Sequence, residues 1–267
     1  MFVRKPAVAD MFYPADLGEL KRYLDAVMQP SDKKISPKSI IVPHAGYVYS
    51  GDVAAKVYSS IEPFDVYLIM GPNHTGLGAE ISVFDGMYEM PFGTVKSNSR
   101  LVALLSENEY AEIDYYAHLQ EHSIEVQLPF IDYITPHEYE VATVVVGTHN
   151  VAKLYSFAET VAKAISSLDK RVLIVVSSDM NHYEDQNTTA EKDRKAIDAI
   201  EKLDENELFR VCSSYGITMC GVAPAYVAIA ASKMLGAKKA ELLMYKTSGD
   251  VNGDYSKVVG YAGIVIE

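Results

Sequence analysis

Four apolar runs constrain this chain more than any other feature. They are Ser39-Ile40-Ile41-Val42, Val66-Tyr67-Leu68-Ile69-Met70, Val141-Ala142-Thr143-Val144-Val145-Val146 and Val172-Leu173-Ile174-Val175-Val176. Each is short, rich in β-branched residues and bounded by turn residues. A strand with one face in water alternates apolar and polar side chains. A run that is apolar throughout belongs to a strand covered on both faces, as at the centre of a parallel α/β sheet. Residues 242–245 and 258–266 read as two further strands, and the turn-rich stretch 249–254 between them allows antiparallel pairing.

Amphipathic segments alternate with these runs, over 17–28, 50–60, 151–166, 188–203, 204–214 and 221–235. Thr188 with Glu191, and Asp204 with Glu207, have capping-box spacing, which predicts two helices meeting near Leu203. Pro224 in the first turn and Gly236 after the last bracket the final helix. Residues 81–94 are less regular, and Tyr88-Glu89-Met90-Pro91-Phe92-Gly93 within them reads as a hairpin or a lid near the site. No repeat, low-complexity tract or long linker interrupts the pattern. The expected architecture is α/β, a single domain over 1–267, folded as a three-layer α/β/α sandwich with a mixed, largely parallel central sheet.

Charge narrows the function. With 36 acidic against 24 basic residues the formal net charge is −12. No Lys/Arg stripe offers a footprint for nucleic acid, and the acidic surface disfavours anionic membranes. No apolar stretch is long enough to span a bilayer, and Met1-Phe2-Val3-Arg4-Lys5-Pro6 lacks the apolar region of a signal peptide, so a cytoplasmic protein is expected. Cys212 and Cys220 are too few for a disulfide scaffold, and their spacing matches no zinc finger.

Five polar clusters sit against the apolar runs. They read Pro43-His44-Ala45-Gly46-Tyr47-Val48-Tyr49-Ser50-Gly51, Gly71-Pro72-Asn73-His74, Glu121-His122-Ser123-Ile124-Glu125, Ser177-Ser178-Asp179-Met180-Asn181-His182 and Thr218-Met219-Cys220-Gly221. Four of the seven histidines and one of the two cysteines lie in them. His44 and His74 each follow a buried strand at its carboxyl end, where open α/β sheets collect ligands. Neighbouring strands are roughly 5 Å apart, so two such side chains can share an ion. Cys220 precedes a predicted helix N-terminus, a position that favours the thiolate; otherwise it is a small buried hydrophobe, as Cys212 is expected to be. A thiolate with two imidazoles suits Fe(II), Cu or Zn and argues against Mg or Ca.

The other cluster residues read as supporting groups. Asp179 and His182 have the spacing of a carboxylate–imidazole pair that can act as general base, although an aspartate there can equally cap a helix. His122 is a proton donor or hydrogen-bonding group toward substrate, with Glu121 and Glu125 beside it; an exposed acidic turn explains the glutamates equally well. The cluster begins an amphipathic run with Ile124, Leu128 and Ile131 on one face, and Pro129 is expected to kink that helix. Tyr47 and Tyr49 are packed tyrosines or substrate contacts. Ser50 and Gly51 are expected to open a helix whose free N–H groups can hold an anion. Glu121 joins Tyr47, Tyr49 and Ser50 as a candidate substrate contact. His118, His137 and His149 are expected on the surface or in loops.

The clusters, in their order and spacing, together with Phe12-Tyr13-Pro14, resemble the motif series of the Memo family across nearly the whole chain. The resemblance implies a fold shared with class III extradiol dioxygenases, which use mononuclear non-haem iron. It implies His44, His74 and Cys220 as metal ligands, Asp179 and His182 bordering the site, and His122 facing it. The dioxygenases use a carboxylate as third ligand; a thiolate beside bound oxygen is itself oxidisable, which sets this chain apart from ordinary ring cleavage. Family members are tied to metal-dependent redox signalling and phosphotyrosine-peptide binding, and prokaryotic relatives to a radical-SAM protein partner. The chain has no Trp where animal members carry one, Tyr183 follows His182, and Asp10 stands where microbial relatives commonly have glycine. The expected function is a metal-dependent, iron-first redox protein acting on a small molecule or peptide. A non-catalytic peptide-binding module and a zinc hydrolase are the alternatives.

Overall fold

The computed structural model of the protein describes residues 2–31 and 33–267. Its first half contains β1 (Phe2–Arg4), α1 (Leu17–Val27), β2 (Ser39–Val42), α2 (Tyr47–Ser60), β3 (Val66–Pro72), β4 (Ile81–Phe84), β5 (Gly86–Met90), β6 (Gly93–Lys96) and α3 (Ser99–Leu105). The middle adds β7 (Ala111–Ile113), α4 (His122–Glu125), α5 (Leu128–Ile134), β8 (Glu140–Val146), α6 (Val151–Ser166) and β9 (Val172–Ser177). Then come β10 (His182–Glu184), α7 (Gln186–Glu201), α8 (Glu205–Tyr215), α9 (Val222–Met234), β11 (Ala240–Thr247), α10 (Gly249–Asn252) and β12 (Val258–Ile266).

The four apolar runs form the centre of one large sheet, in the order β2, β9, β3, β8, all parallel. Antiparallel strands close both sides: β12 against β2 with β10 and β11 beyond it, and β4 against β8 with β7 outside. The sheet is thus mixed, with a parallel centre. Successive side chains of a strand point to opposite faces. Ile41, Leu68, Met70, Val144, Ile174 and Val176 accordingly join α3, α6, α7, α8 and α9 in one core layer. Ile40, Val42, Ile69, Val145, Leu173 and Val175 pack with α1, α2 and α5 in the other. Helices on both faces complete the three-layer sandwich.

Several boundaries differ from the pattern reading, each for a local reason. Helix α2 opens at Tyr47 behind Gly46, so Ser50 lies inside it and its hydroxyl donates to Ala45 O rather than standing at an anion-binding terminus. Helix α7 starts earlier than Thr188 because Asp185 accepts from Asn187 N and Thr188 N. Asp204 does cap α8, through Glu207 N. The kink expected at Pro129 is a full break: α4 ends at Glu125 and Pro129 sits in the first turn of α5. Residues 86–96 form the β5–β6 hairpin, which pairs with β1 in a separate small sheet. Asp10 adopts φ +63°, the left-handed region that glycine enters without strain, and its carboxylate accepts from Ala15 N.

Candidate metal centre

The strand order brings the clusters together. With β9 lying between β2 and β3, the residues that follow these strands share one end of the sheet: His44, the Ser177–Asp179 segment and His74. The 121–125 turn and the segment before α9 close over them. Two glycines make this approach possible. A Cβ on Gly71 would lie 2.2 Å from Ser123 Oγ, and one on Gly221 2.4 Å from Ser178 Cβ. Both positions therefore require the bare backbone, and this accounts for the glycines in the second and fifth clusters.

Three imidazoles converge here. Ring nitrogens of His44, His74 and His122 all lie within 4.8 Å of one another. The His74 and His122 rings stack at 4.6 Å between centroids, and His44 meets each of them edge-on. Cys220 Sγ lies 3.2 Å from His44 Nε2. It also accepts from Asp179 N at 3.2 Å, so the sulfur is held at the wall of the cluster.

Hydrogen bonds set which nitrogen of each ring is free. Ser177 donates its one hydroxyl proton to Ser123 O at 2.6 Å and accepts from Gln127 Nε2 at 2.8 Å. It can therefore only accept from His44 Nδ1, 3.0 Å away, which assigns the proton to Nδ1 and leaves Nε2 unprotonated beside the sulfur. His74 donates from Nδ1 to Glu121 Oε1 at 2.8 Å, and its backbone N–H donates to Oε2 of the same carboxylate. A carboxylate in that position fixes the tautomer and raises the basicity of the other nitrogen.

Burial keeps two of the three imidazoles neutral. Burial, reinforced by His74, lowers the His44 pKa to about 3, and burial with His44 lowers that of His122 to about 4; neutral imidazole is the form that binds metal. Burial acts upward on Glu121, but His74 and the backbone donors outweigh it and hold the carboxyl down at about 2. Burial opposes protonation of His74, yet Glu121 wins and raises it. Burial pushes the Cys220 thiol up, with Asp179 adding to it, so the lowering expected from the helix start does not prevail. A thiolate here requires a bound cation to compensate it.

The remaining sequence candidates fall into place around this cluster. Asp179 does not orient His182. Its Oδ1 accepts from His44 N at 2.8 Å and Ala45 N, which fixes the loop that carries His44. His182 is positioned by Thr218: its backbone N donates to Thr218 Oγ1, and its Nδ1 donates to Thr218 O at 3.1 Å, leaving Nε2 free. Glu121 and Glu125 are buried, not an exposed acidic turn. Glu121 supports His74 rather than reaching outward, and Glu125 pairs with Arg4. Tyr47 is buried with its hydroxyl donated to Val126 O, a packing role, whereas Tyr49 is 37% exposed. His118 lies in a loop, as expected, but is buried there; its Nε2 donates to Ser82 O. Pattern reading missed Ser177, Gln127 and Arg4 as supports of the site. Ser177 stood in a cluster, but nothing in spacing showed that its hydroxyl reaches His44.

Together these features define an α/β protein with a three-histidine cluster that could hold a metal ion at the carboxyl ends of its parallel strands, Cys220 lying beside it and outside that group of three. The Memo-like protein family matches residues 4–265, and the chain belongs to that family. A MEMO1 family protein of Aquifex aeolicus is 44% identical over 99% of both chains, and one of Desulfurococcus amylolyticus is 43% identical over 98% of both. The crystal structure of an uncharacterized protein from Escherichia coli K12 superposes with a TM-score of 0.58 over 85% of this chain and 98% of that one. At 10% identity that likeness is one of fold alone. Among the described residues, no helix is long and apolar enough to cross a membrane.

Proposed function

We propose that the protein is a metal-dependent redox protein that holds one transition-metal ion, iron(II) in the first instance, between His44, His74 and Cys220, with His122 as the adjoining imidazole. The supporting observation is the convergence of three ring nitrogens within 4.8 Å, with the Cys220 sulfur 3.2 Å from the free nitrogen of His44. Imidazole with thiolate suits Fe(II), Cu or Zn and disfavours Mg and Ca, which take oxygen ligands.

When bound, such an ion would supply Lewis acidity and electron transfer, with coordination positions left for a small molecule. The chain's own residues do the rest. Glu121 and Ser177 hold His74 and His44 in fixed tautomers. His182, with Nδ1 tied to Thr218 O and Nε2 without a hydrogen-bond partner among the described residues, is placed to take a proton as general base. His122, kept neutral by burial, is suited to polarise a bound group by hydrogen bonding.

Metal analysis of anaerobically purified protein tests this. Stoichiometric metal is expected in the wild type and its loss in His44→Ala and His74→Ala; unchanged metal content in His44→Ala would remove the reading. In the Co(II)-substituted protein, a thiolate-to-metal charge-transfer band is expected to vanish in Cys220→Ser and persist in His122→Ala. Metal that loads without any thiolate band in the wild type, and is lost in His122→Ala, would make the three imidazoles the ligand set. Glu121→Gln turns an amide toward the His74 N–H groups and is expected to weaken metal binding about 10- to 100-fold, measured by competition with a chelator. Zinc without oxygen uptake would favour a hydrolase, and peptide binding that survives chelation a binding module.

A further inference from the structure

A cavity of about 590 Å³ opens beside the cluster, between the carboxyl ends of β3 and β8 and the α8–α9 connection. His74 and Cys220 form part of its wall. Its volume lies in the range of pockets that enclose a small organic molecule. The chemistry of its lining is the informative feature. Val146, Phe209, Ile217, Met219 and Val222 contribute apolar surface, and no Asp, Glu, Lys or Arg lines it among the described residues. This contrasts with a chain that carries 36 acidic and 24 basic residues. It also contrasts with the larger cavity at the opposite strand ends, of about 1080 Å³, whose lining includes Lys96, Glu138, Glu140 and Lys170.

The polar side chains of the lining are largely committed within the protein. Asn73 donates to Leu77 O and accepts from Gly76 N, and Thr218 Oγ1 accepts from His182 N. A phosphorylated or otherwise strongly anionic ligand needs Arg or Lys to replace its water. This cavity supplies neither. An apolar body loses nothing on entry and gains from leaving water.

We propose that the cavity receives the uncharged, apolar body of a small-molecule ligand whose single polar head reaches the His74–Cys220 wall. The head-group half of this proposal rests on the metal reading above; the body half rests on the lining alone.

Two probes separate the halves. In metal-loaded protein, 4-phenylimidazole is expected to bind roughly tenfold or more tighter than imidazole, because its ring leaves water for an apolar lining. A sulfonate on that ring is expected to abolish the gain. Ser213 is an exposed residue of α8 on the cavity wall, and Ser213→Trp is expected to narrow the cavity without replacing a metal candidate. It should remove the gain of the phenyl ring while leaving imidazole affinity and metal content unchanged. In chelator-treated protein, a neutral naphthalene fluorophore such as Prodan reports the cavity without metal, and Ser213→Trp should displace it. If metal loads but phenylimidazole binds no tighter than imidazole, or the sulfonated ring binds equally well, the proposal is overturned and the metal reading stands. If no metal loads yet the fluorophore binds and Ser213→Trp blocks it, the metal reading fails and the apolar-body assignment stands.

Discussion

Replacing Arg4 with Met is expected to cost about 3–5 kcal/mol of folding stability, read as a lowered urea midpoint. Arg4 and Glu125 are both buried and form an ion pair within the 121–125 turn's own support. The Arg4 Nε donates to His118 O at 2.9 Å and a second guanidinium nitrogen to Glu121 O at 2.8 Å. The Glu125 carboxylate accepts from Ala7 N, Val8 N and the Tyr13 hydroxyl in addition to Arg4. Every strong donor and acceptor is satisfied, so removing the cation leaves a buried carboxylate without its counter-charge. Removing both charges in Arg4→Met with Glu125→Leu should restore part of the loss. It should not restore all of it, because three donors then lack an acceptor. The same network fixes the backbone of Glu121, the residue that orients His74. Arg4→Met is therefore also expected to weaken metal binding under conditions where the chain stays folded. An unchanged urea midpoint would show that the pair contributes nothing to the fold.

The second large effect concerns pH. Asp193 lies on α7, fully buried, accepting from Asn181 N at 2.8 Å and from the Tyr245 hydroxyl at 2.7 Å. Burial raises its pKa to about 7; the two donors pull downward without offsetting it, and Glu184 adds to the rise. A carboxyl raised in the folded state binds a proton there that the unfolded chain has already lost. Stability from this group therefore falls as pH rises from about 4 to about 7, and levels off above that. The shift from 3.8 to about 7 corresponds to at most roughly 4 kcal/mol. Asp193→Asn is thus expected to raise the unfolding temperature at pH 8 and leave it nearly unchanged near pH 4. Equal effects at both pH values would show that the carboxyl is ionised throughout.

Much of the fold was legible in the chain because burial on both faces leaves a direct trace. Each of the four apolar runs is a central strand, and α6 begins and ends where its pattern does, with Asn150 capping it. Boundaries were lost where a cap competed with the pattern, as at Asp185, or where Gly46 let a helix begin early. His44 and His74 could be placed together because strand ends are local features, while Cys220 was joined to them by its helix-start context and the family resemblance. The depth of His122 could not, since its position depends on the break between α4 and α5 and on the anchoring of the turn by Arg4, more than a hundred residues away in sequence.

By itself, then, the sequence determined the three-layer α/β class and marked His44 and His74 as strand-end imidazoles. These follow from periodicity and donor chemistry, which are carried by neighbouring residues. The tertiary structure alone decided that β9 lies between β2 and β3, and that His122 joins the two strand-end histidines. It likewise decided that Ser177, Glu121 and Thr218, rather than Asp179, orient the rings, and that an uncharged cavity adjoins Cys220. Each of these depends on which distant segments touch, and a chain of local preferences leaves many such pairings open until the core packs.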